Sequence, residues 1–238
     1  MAEMGIQALF FDCDGVLVDT ERDGHRVAFN RAFKKLGIDL EWSVERYGEL
    51  LTTGGGKERM RRHFDEKGWP VAPDGQDALV ASLHRVKTDL FMELIEDGRM
   101  ALRDGVARLV DEAQAADIAV AVCSTSNERA VATIVRILLG EARAGRMSIF
   151  AGDAVARKKP APDIYLLAAQ TLNVEPSRCV VVEDSHIGLT AARAADMHCI
   201  VTRSTYTGEE DFSAADIVVD HLDQGIDLTG LKALLRPQ

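Results

Sequence analysis

Paired cysteines, long apolar stretches and an excess of positive charge are all missing from this 238-residue chain. Its four cysteines, Cys13, Cys123, Cys179 and Cys199, show no CxxC spacing, so a zinc site has no support. Each lies in or beside an apolar run, and buried free thiols in a reducing cytosol are expected. No run reaches the length of a membrane span. The opening residues 1–12 pass straight into an apolar run without a basic segment and a long hydrophobic one ahead of it. No signal peptide is therefore expected, and the expected location is cytoplasmic. Lys and Arg number 28 against 38 Asp and Glu, a formal net charge of −10. That field repels a phosphate backbone and excludes nucleic acid as a partner. It still admits a small anion, because local cations or a metal outweigh the global field at short range. No internal repeat or low-complexity tract is present. Nothing in the sequence specifies an oligomer, and a monomer is favoured.

What the chain does have is an ordinary globular composition, 47% hydrophobic and 28% charged. Short apolar runs predict strands at Ala8–Asp12, Ala119–Ser124, Ser148–Gly152, Cys179–Asp184, Cys199–Thr202 and Ile217–Asp220. Most are continuous rather than alternating, as when both faces of a sheet are covered. Helical patterns fall between them at Val106–Ala115, Asn127–Leu139, Pro162–Leu172 and Gly188–Ala195. This alternation predicts an α/β chain with a Rossmann-like parallel sheet and right-handed crossovers. Residues 20–95 break the alternation. No strand is predicted there, only helices at His25–Leu36, Ser43–Leu50, Lys57–Lys67 and Asp77–Ile95. The expected organisation is a catalytic core of residues 1–19 and 96–238 with an α-helical cap, residues 20–95, inserted after the first strand.

Four strand ends carry chemistry. Asp12 and Asp14 follow the first strand, where open parallel sheets bind ligands, and a spacing of two turns both to one side. Carboxylates this close need a cation between them or a shared proton. Magnesium suits such a pair, although an acidic turn would look the same. The second strand ends in Ser124, Thr125 and Ser126, hydroxyls that suit either a phosphate cradle or a helix cap. Lys159 precedes Pro160 in the run Arg157–Asp163, where two prolines fix the backbone around a cation. The fourth strand ends in Glu183 and Asp184, followed by Gly188 and the small residues Ala191 and Ala192 on a helix. One acidic strand end is common, but two in one parallel sheet, with a lysine between them in sequence, are harder to dismiss.

In the helical segment, Leu50–Arg59 holds Gly54, Gly55 and Gly56 ahead of a predicted helix start, with Lys57 and Arg59 beside it. Exposed N–H groups there suit an anion, and a flexible loop is the alternative. The spacing is not that of a P-loop and no strand precedes it, so a nucleotide is not expected. His84 and Lys87 share a helix face at i, i+3, either as a second basic site or as a solvated surface. Glu21 and His25 stand at the entrance to the segment, where Glu21 can accept hydrogen bonds from sugar hydroxyls.

Taken together, Asp12-Cys13-Asp14-Gly15-Val16, Ser124, Lys159 and Glu183-Asp184 resemble, in order and spacing, the four motifs of the haloacid dehalogenase superfamily, over nearly the whole chain. The resemblance implies a magnesium-dependent phosphatase with Asp12 as nucleophile and Asp14 as general acid and then base. It implies magnesium held by Asp12, Asp184 and the backbone carbonyl of Asp14, with Glu183 in support and Ser124 and Lys159 in the catalytic set. An acid at position 14 is similar to the phosphotransfer members and unlike the metal-free dehalogenases. The insert is similar to the cap of the phosphoglucomutase and phosphoglycolate phosphatase branch. Leu50–Arg59, His84–Thr88 and Glu183–Leu189 resemble the CbbY-like xylulose-1,5-bisphosphate phosphatases associated with Rubisco. That likeness implies a substrate site lined by Glu21, Gly55, Gly56, Lys57, Glu58, Arg59, His84, Arg85, Lys87, Ser124, Thr125 and Ser126. It also implies a place in the Calvin cycle, removing a Rubisco inhibitor. Two departures stand out: Gly24-His25 carries one residue more than the subgroup's Glu-x-x-His pattern, and Asp196 stands where the superfamily has Gly. Phosphoglycolate phosphatase and β-phosphoglucomutase remain open within this superfamily. A catalytically silent sugar-phosphate-binding or Rubisco-interaction protein is the alternative outside enzymes.

Overall fold

The computed structural model describes residues 5–53 and 55–235. The chain divides into two compact units, Met1–Asp19 with Met100–Gln238, and Thr20–Arg99. The first is an α/β unit. Strand β1 (Ala8–Phe11) is followed, after the whole second unit, by β2 (Ala119–Cys123), β3 (Met147–Phe150), β4 (Cys179–Glu183), β5 (His198–Thr202) and β6 (Ile217–Val219). All pairings are parallel, in the order β3-β2-β1-β4-β5-β6. The order reverses direction at β1, so the crevice beyond its carboxyl end is where such sheets place ligands. Leu9 and Phe11 are as buried as Phe10, which is why the strands read as unbroken apolar runs. One face is packed by Ile164, Tyr165 and Ala168 and by Leu189, Ala191 and Ala192, small enough for close helix–sheet approach.

The helix predicted over Asn127–Leu139 ends its α-helical part at Ile134, and Val135–Leu139 continue with a wider π turn. The helix at Leu228–Leu234 was not predicted. Three helices return to the sheet through residues at positive φ that are not glycine: Asp117 (φ 54°), Asn173 (φ 54°) and Asp196 (φ 59°). Asp and Asn are the side chains that enter this region most readily, so Asp196 supplies the left-handed turn where the superfamily has Gly.

The second unit holds four helices, α1 (Arg26–Lys35), α2 (Val44–Leu51), α3 (Gly56–Lys67) and α4 (Gln76–Glu96), with no strand among the described residues. The segment expected to end at residue 95 runs on as a unit to Arg99. An aromatic cluster is its core: Trp42 lies 4.8 Å from Phe29 and 4.9 Å edge-on from Phe33. The Trp42 indole N–H donates to His63 Nδ1 at 3.0 Å, which satisfies a donor that burial would otherwise orphan. Thr20–His25 wind as a π-helical turn into α1. A π turn takes in one extra residue without altering the helix that follows, and this is where the Gly24-His25 pair adds one.

His25 Nδ1 sits 2.9 Å from the buried Lys87 Nζ, and its ring packs 4.0 Å from Phe91. Burial, then Lys87 and Arg59, hold its pKa well below the ordinary 6.5. Folded His25 thus refuses a proton that the unfolded chain accepts, so its contribution to stability is complete above about pH 6.5 and is lost as pH falls. Both tryptophans, Trp42 and Trp69, lie in this unit, so their fluorescence reports its unfolding. The Tm read this way should drop between about pH 7.5 and pH 5.5, and drop less in His25→Gln. An equal drop in the variant would show that His25 does not titrate with folding.

Candidate active site

The carboxyl ends of β1, β2 and β4 bring together residues far apart in sequence. Asp12 follows β1 and is nearly buried, Ser124 follows β2 and is buried, and Glu183 ends β4 fully buried with Asp184 next to it. Lys159 arrives from the segment after β3. Its Nζ donates to Asp12 Oδ1 at 2.5 Å, to Glu183 Oε1 at 2.6 Å and to the Cys123 carbonyl at 2.9 Å. Burial alone pushes the ammonium's pKa down, but Asp12 and Glu183 outweigh it, so Lys159 is held charged above its ordinary range.

Glu183 is saturated. Its Oε1 also accepts from the Tyr165 hydroxyl at 2.5 Å, and its Oε2 accepts from the Asp184 N–H and the Ser185 hydroxyl, each at 3.2 Å. Four donors on one carboxylate leave no lone pair for a metal, so Glu183 orients its neighbours. Gly188 is required beside it, since a Cβ there would collide with the Glu183 carboxylate. Gly15 (φ 81°) is required for the same kind of reason against Asp184.

Burial drives the Asp12 pKa up to about 7; Lys159 opposes this, while Glu183 and Asp14 add to it. Asp184 is raised well above the usual carboxylate range by burial, with Glu183 and Asp12 adding. Asp12, Glu183 and Asp184 each offer an oxygen within 4.8 Å of the others. With Glu183 occupied, the Asp12 oxygen that Lys159 leaves and the Asp184 carboxylate remain. These are hard oxygen donors in a net negative site, a set that fits a divalent cation. A dication among them would draw both carboxyls back to the charged form.

The Ser126 hydroxyl makes a short hydrogen bond to Asp14 Oδ2, and the Ser126 N–H donates to Ser124 Oγ at 3.1 Å. Asp14 is therefore held from the β2 side while Asp12 is held by Lys159. Thr125 is exposed beside them.

The helical unit carries its own polar cluster. Tyr47 donates to Glu21 Oε2 at 2.6 Å and accepts from Arg59 Nη1 at 2.9 Å, and Arg59 Nε donates to the Thr53 carbonyl at 3.1 Å. Lys57 and Glu58 are exposed at the start of α3, and both act on the half-buried His84, whose pKa burial, Lys87 and Lys57 push down. Gly56 packs against Phe29 and His84, leaving little room for a Cβ. Gly55 (φ 89°) has the Glu58 carboxylate folded over it, so a carboxylate already rests at this helix start. Lys87 is boxed by Phe29 and Phe91, at 5.0 Å and 5.2 Å from the ring centres. Arg85 is exposed and makes no hydrogen bond or ion pair among the described residues. Gly54, expected to help bind an anion, lies outside the described residues.

Tyr165 and Tyr47 were not singled out from sequence. For Tyr165 the signal available was a phenol in an apolar run, which needs a partner when buried; Tyr47 stands among Glu45, Arg46 and Glu49 and gave no such signal. Tyr165→Phe removes one of the four donors on Glu183 and should lower the unfolding free energy by about 1.5–3 kcal/mol. Urea denaturation of the two proteins at neutral pH measures it, and an unchanged midpoint would show that Glu183 does not depend on the phenol.

The model of the haloacid dehalogenase-like hydrolases matches residues 6–196. A CBBY-like protein of Arabidopsis thaliana is 56% identical, over 97% of this chain and 75% of its own length. Protein CbbY of Cereibacter sphaeroides is 44% identical, over 94% of this chain and 98% of its own. Among solved structures, an Asp-to-Asn variant of CbbY from Rhodobacter sphaeroides, in complex with xylulose-1,5-bisphosphate, is 43% identical. Its TM-score is 0.78, with 95% of this chain and 99% of that one covered.

Proposed function

This chain belongs to the haloacid dehalogenase-like hydrolase family and is a sugar-phosphate phosphatase, and we propose that its substrate is xylulose-1,5-bisphosphate. What supports the reading is that each unit gathers groups that a phosphate could use. The core offers Asp12, Lys159 and the Ser124–Ser126 turn. The helical unit offers the start of α3 with Lys57, His84 and the boxed Lys87. A sugar with two phosphates gives each a use, and the 43% identical CbbY structure contains such a sugar.

In this reading a carboxylate oxygen of Asp12 attacks phosphorus. Asp14, steadied by Ser126, gives its proton to the leaving sugar oxygen as the P–O bond breaks. Asp14 then takes a proton from water, which attacks the aspartyl phosphate and releases inorganic phosphate with Asp12 restored. Splitting the displacement gives two easier steps, and acid–base help contributes about 10²–10⁴-fold. Lys159 neutralises charge on the transferring group. Mg2+, held by Asp12 and Asp184, would add charge neutralisation on the phosphoryl oxygens when bound. In the helical unit, the second phosphate takes the place of the Glu58 carboxylate over Gly55. Glu21, Tyr47 and Arg59 are left for the sugar hydroxyls. The buried thiols suit a reducing compartment such as the cytoplasm.

The test is release of inorganic phosphate from a panel of sugar phosphates with Mg2+ and with chelator. Xylulose-1,5-bisphosphate should be the preferred substrate, activity should vanish with chelator, and Asp12→Asn should be inactive but folded. Faster turnover of phosphoglycolate, or conversion of a hexose phosphate without release, would replace this reading.

Lys57→Ala separates the two anion sites. Losing a charge-assisted contact to the second phosphate should lower kcat/KM for the bisphosphate about 10- to 100-fold. Hydrolysis of p-nitrophenyl phosphate, which has nothing to offer the helical unit, should be unchanged. Equal losses on both substrates would place Lys57 in the core chemistry or the fold.

A further inference from the structure

Arg103 lies in the connector leading to the helix Val106–Ala115 and is one of the half-buried cations of the α/β unit. Among the described residues its guanidinium pairs with no side chain within salt-bridge distance; it gathers backbone carbonyls instead. Nη1 makes a short hydrogen bond to the Gly15 carbonyl and reaches the Thr202 carbonyl at 3.3 Å. Nη2 donates to the Arg203 carbonyl at 2.5 Å and to the Asp220 carbonyl at 2.7 Å. Its own backbone N–H donates to the Leu17 carbonyl at 2.9 Å. One side chain therefore ties the loop after β1 to the ends of β5 and β6.

We infer that Arg103 is a positioning residue for Asp14 and Asp184. Gly15 is the link. It follows Asp14 directly, and its Cα lies so close to the Asp184 carboxylate that no Cβ could stand between them. Moving the Gly15 carbonyl moves the peptide that carries Asp14 and the surface on which Asp184 rests. The segment Thr202–Thr207 is held at its start by the same guanidinium, and its Thr207 hydroxyl reaches Asp184 Oδ2 at 3.5 Å. Both flanks of Asp184 thus depend on one cation. Four converging carbonyl dipoles need a positive charge with several donors in a fixed plane, which a guanidinium provides and an ammonium on a flexible stem does not.

This inference rests on the phosphatase reading, and the test keeps the two apart. Arg103→Lys and Arg103→Gln are compared with wild type on xylulose-1,5-bisphosphate and on p-nitrophenyl phosphate. Mn2+ binding is followed separately by electron paramagnetic resonance without substrate. Loss of an orienting partner typically costs 10- to 100-fold, so kcat should fall by about that factor on both substrates. Mn2+ affinity should weaken with it, while KM for the bisphosphate stays within about two-fold. Unchanged kcat and Mn2+ binding in folded variants would overturn the inference. So would unfolding of both variants at the assay temperature, which would make Arg103 a residue of the fold alone. If wild type hydrolyses p-nitrophenyl phosphate but not the bisphosphate, the substrate reading fails while the Arg103 comparison still stands on the monophosphate.

Discussion

Lys159 sets one positive charge 2.5 Å from Asp12 and 2.6 Å from Glu183, with its side chain only 4% exposed. Burying an ammonium is costly unless it is paired and its donors are used. Here all three are used, on two carboxylates and the Cys123 carbonyl. The arrangement decides what each acid can do. Glu183 spends every lone pair on Lys159, Tyr165, Ser185 and the Asp184 N–H, so it is rigid and unreactive. Asp12 gives Lys159 one oxygen and keeps the other for chemistry. One cation against Asp12, Asp14, Glu183 and Asp184 still leaves the crevice negative. Burial raises Asp12 and Asp184 and that remainder adds to it, which is why a cation belongs in the site.

This juxtaposition exists because β1 lies between β2 and β4 in the sheet. Each strand delivers its last residues to the same edge, so Ser126 meets Asp14 across 112 positions of chain. The six strands were legible because a parallel sheet buries both faces and writes itself as short continuous apolar runs. The four helices of the second unit were legible from their spacing, each within one residue or two of its observed ends. Asp12, Ser124, Glu183 and Asp184 were legible because charge or hydroxyl ends an apolar run at the edge where parallel sheets bind ligands; Lys159 was legible from the prolines that fix the backbone around it and from its place between the two acidic strand ends.

Other features left no such mark. The π turn at Thr20–His25 is a matter of backbone winding, which composition does not encode. Tyr165 sits on the buried side of a helix, and only the hydroxyl at its tip, meeting Glu183, distinguishes it from a packing residue. Arg103 was invisible for a deeper reason. Its partners are carbonyls, and every residue has one. A side chain that recognises backbone geometry has no complementary residue type to betray it, so it emerges only once the strand ends are in place.

Glu58 shows how the two units divide their work in the reading proposed here. Its carboxylate folds over Gly55, at a helix start whose first N–H groups have no side-chain cap. Helix starts favour negative charge, and this one supplies its own until a ligand arrives. Any anion that binds there must do better than a tethered carboxylate. A doubly charged phosphate beside Lys57 and the boxed Lys87 does so, through more acceptors and more charge. A neutral hydroxyl or a single weak anion does not. In that reading the core recognises a phosphoryl group whatever carries it, since Asp12, Asp14 and Lys159 act on phosphorus and the oxygens around it. Selectivity must then come from the helical unit, where a resident carboxylate sets the threshold that a second phosphate has to exceed.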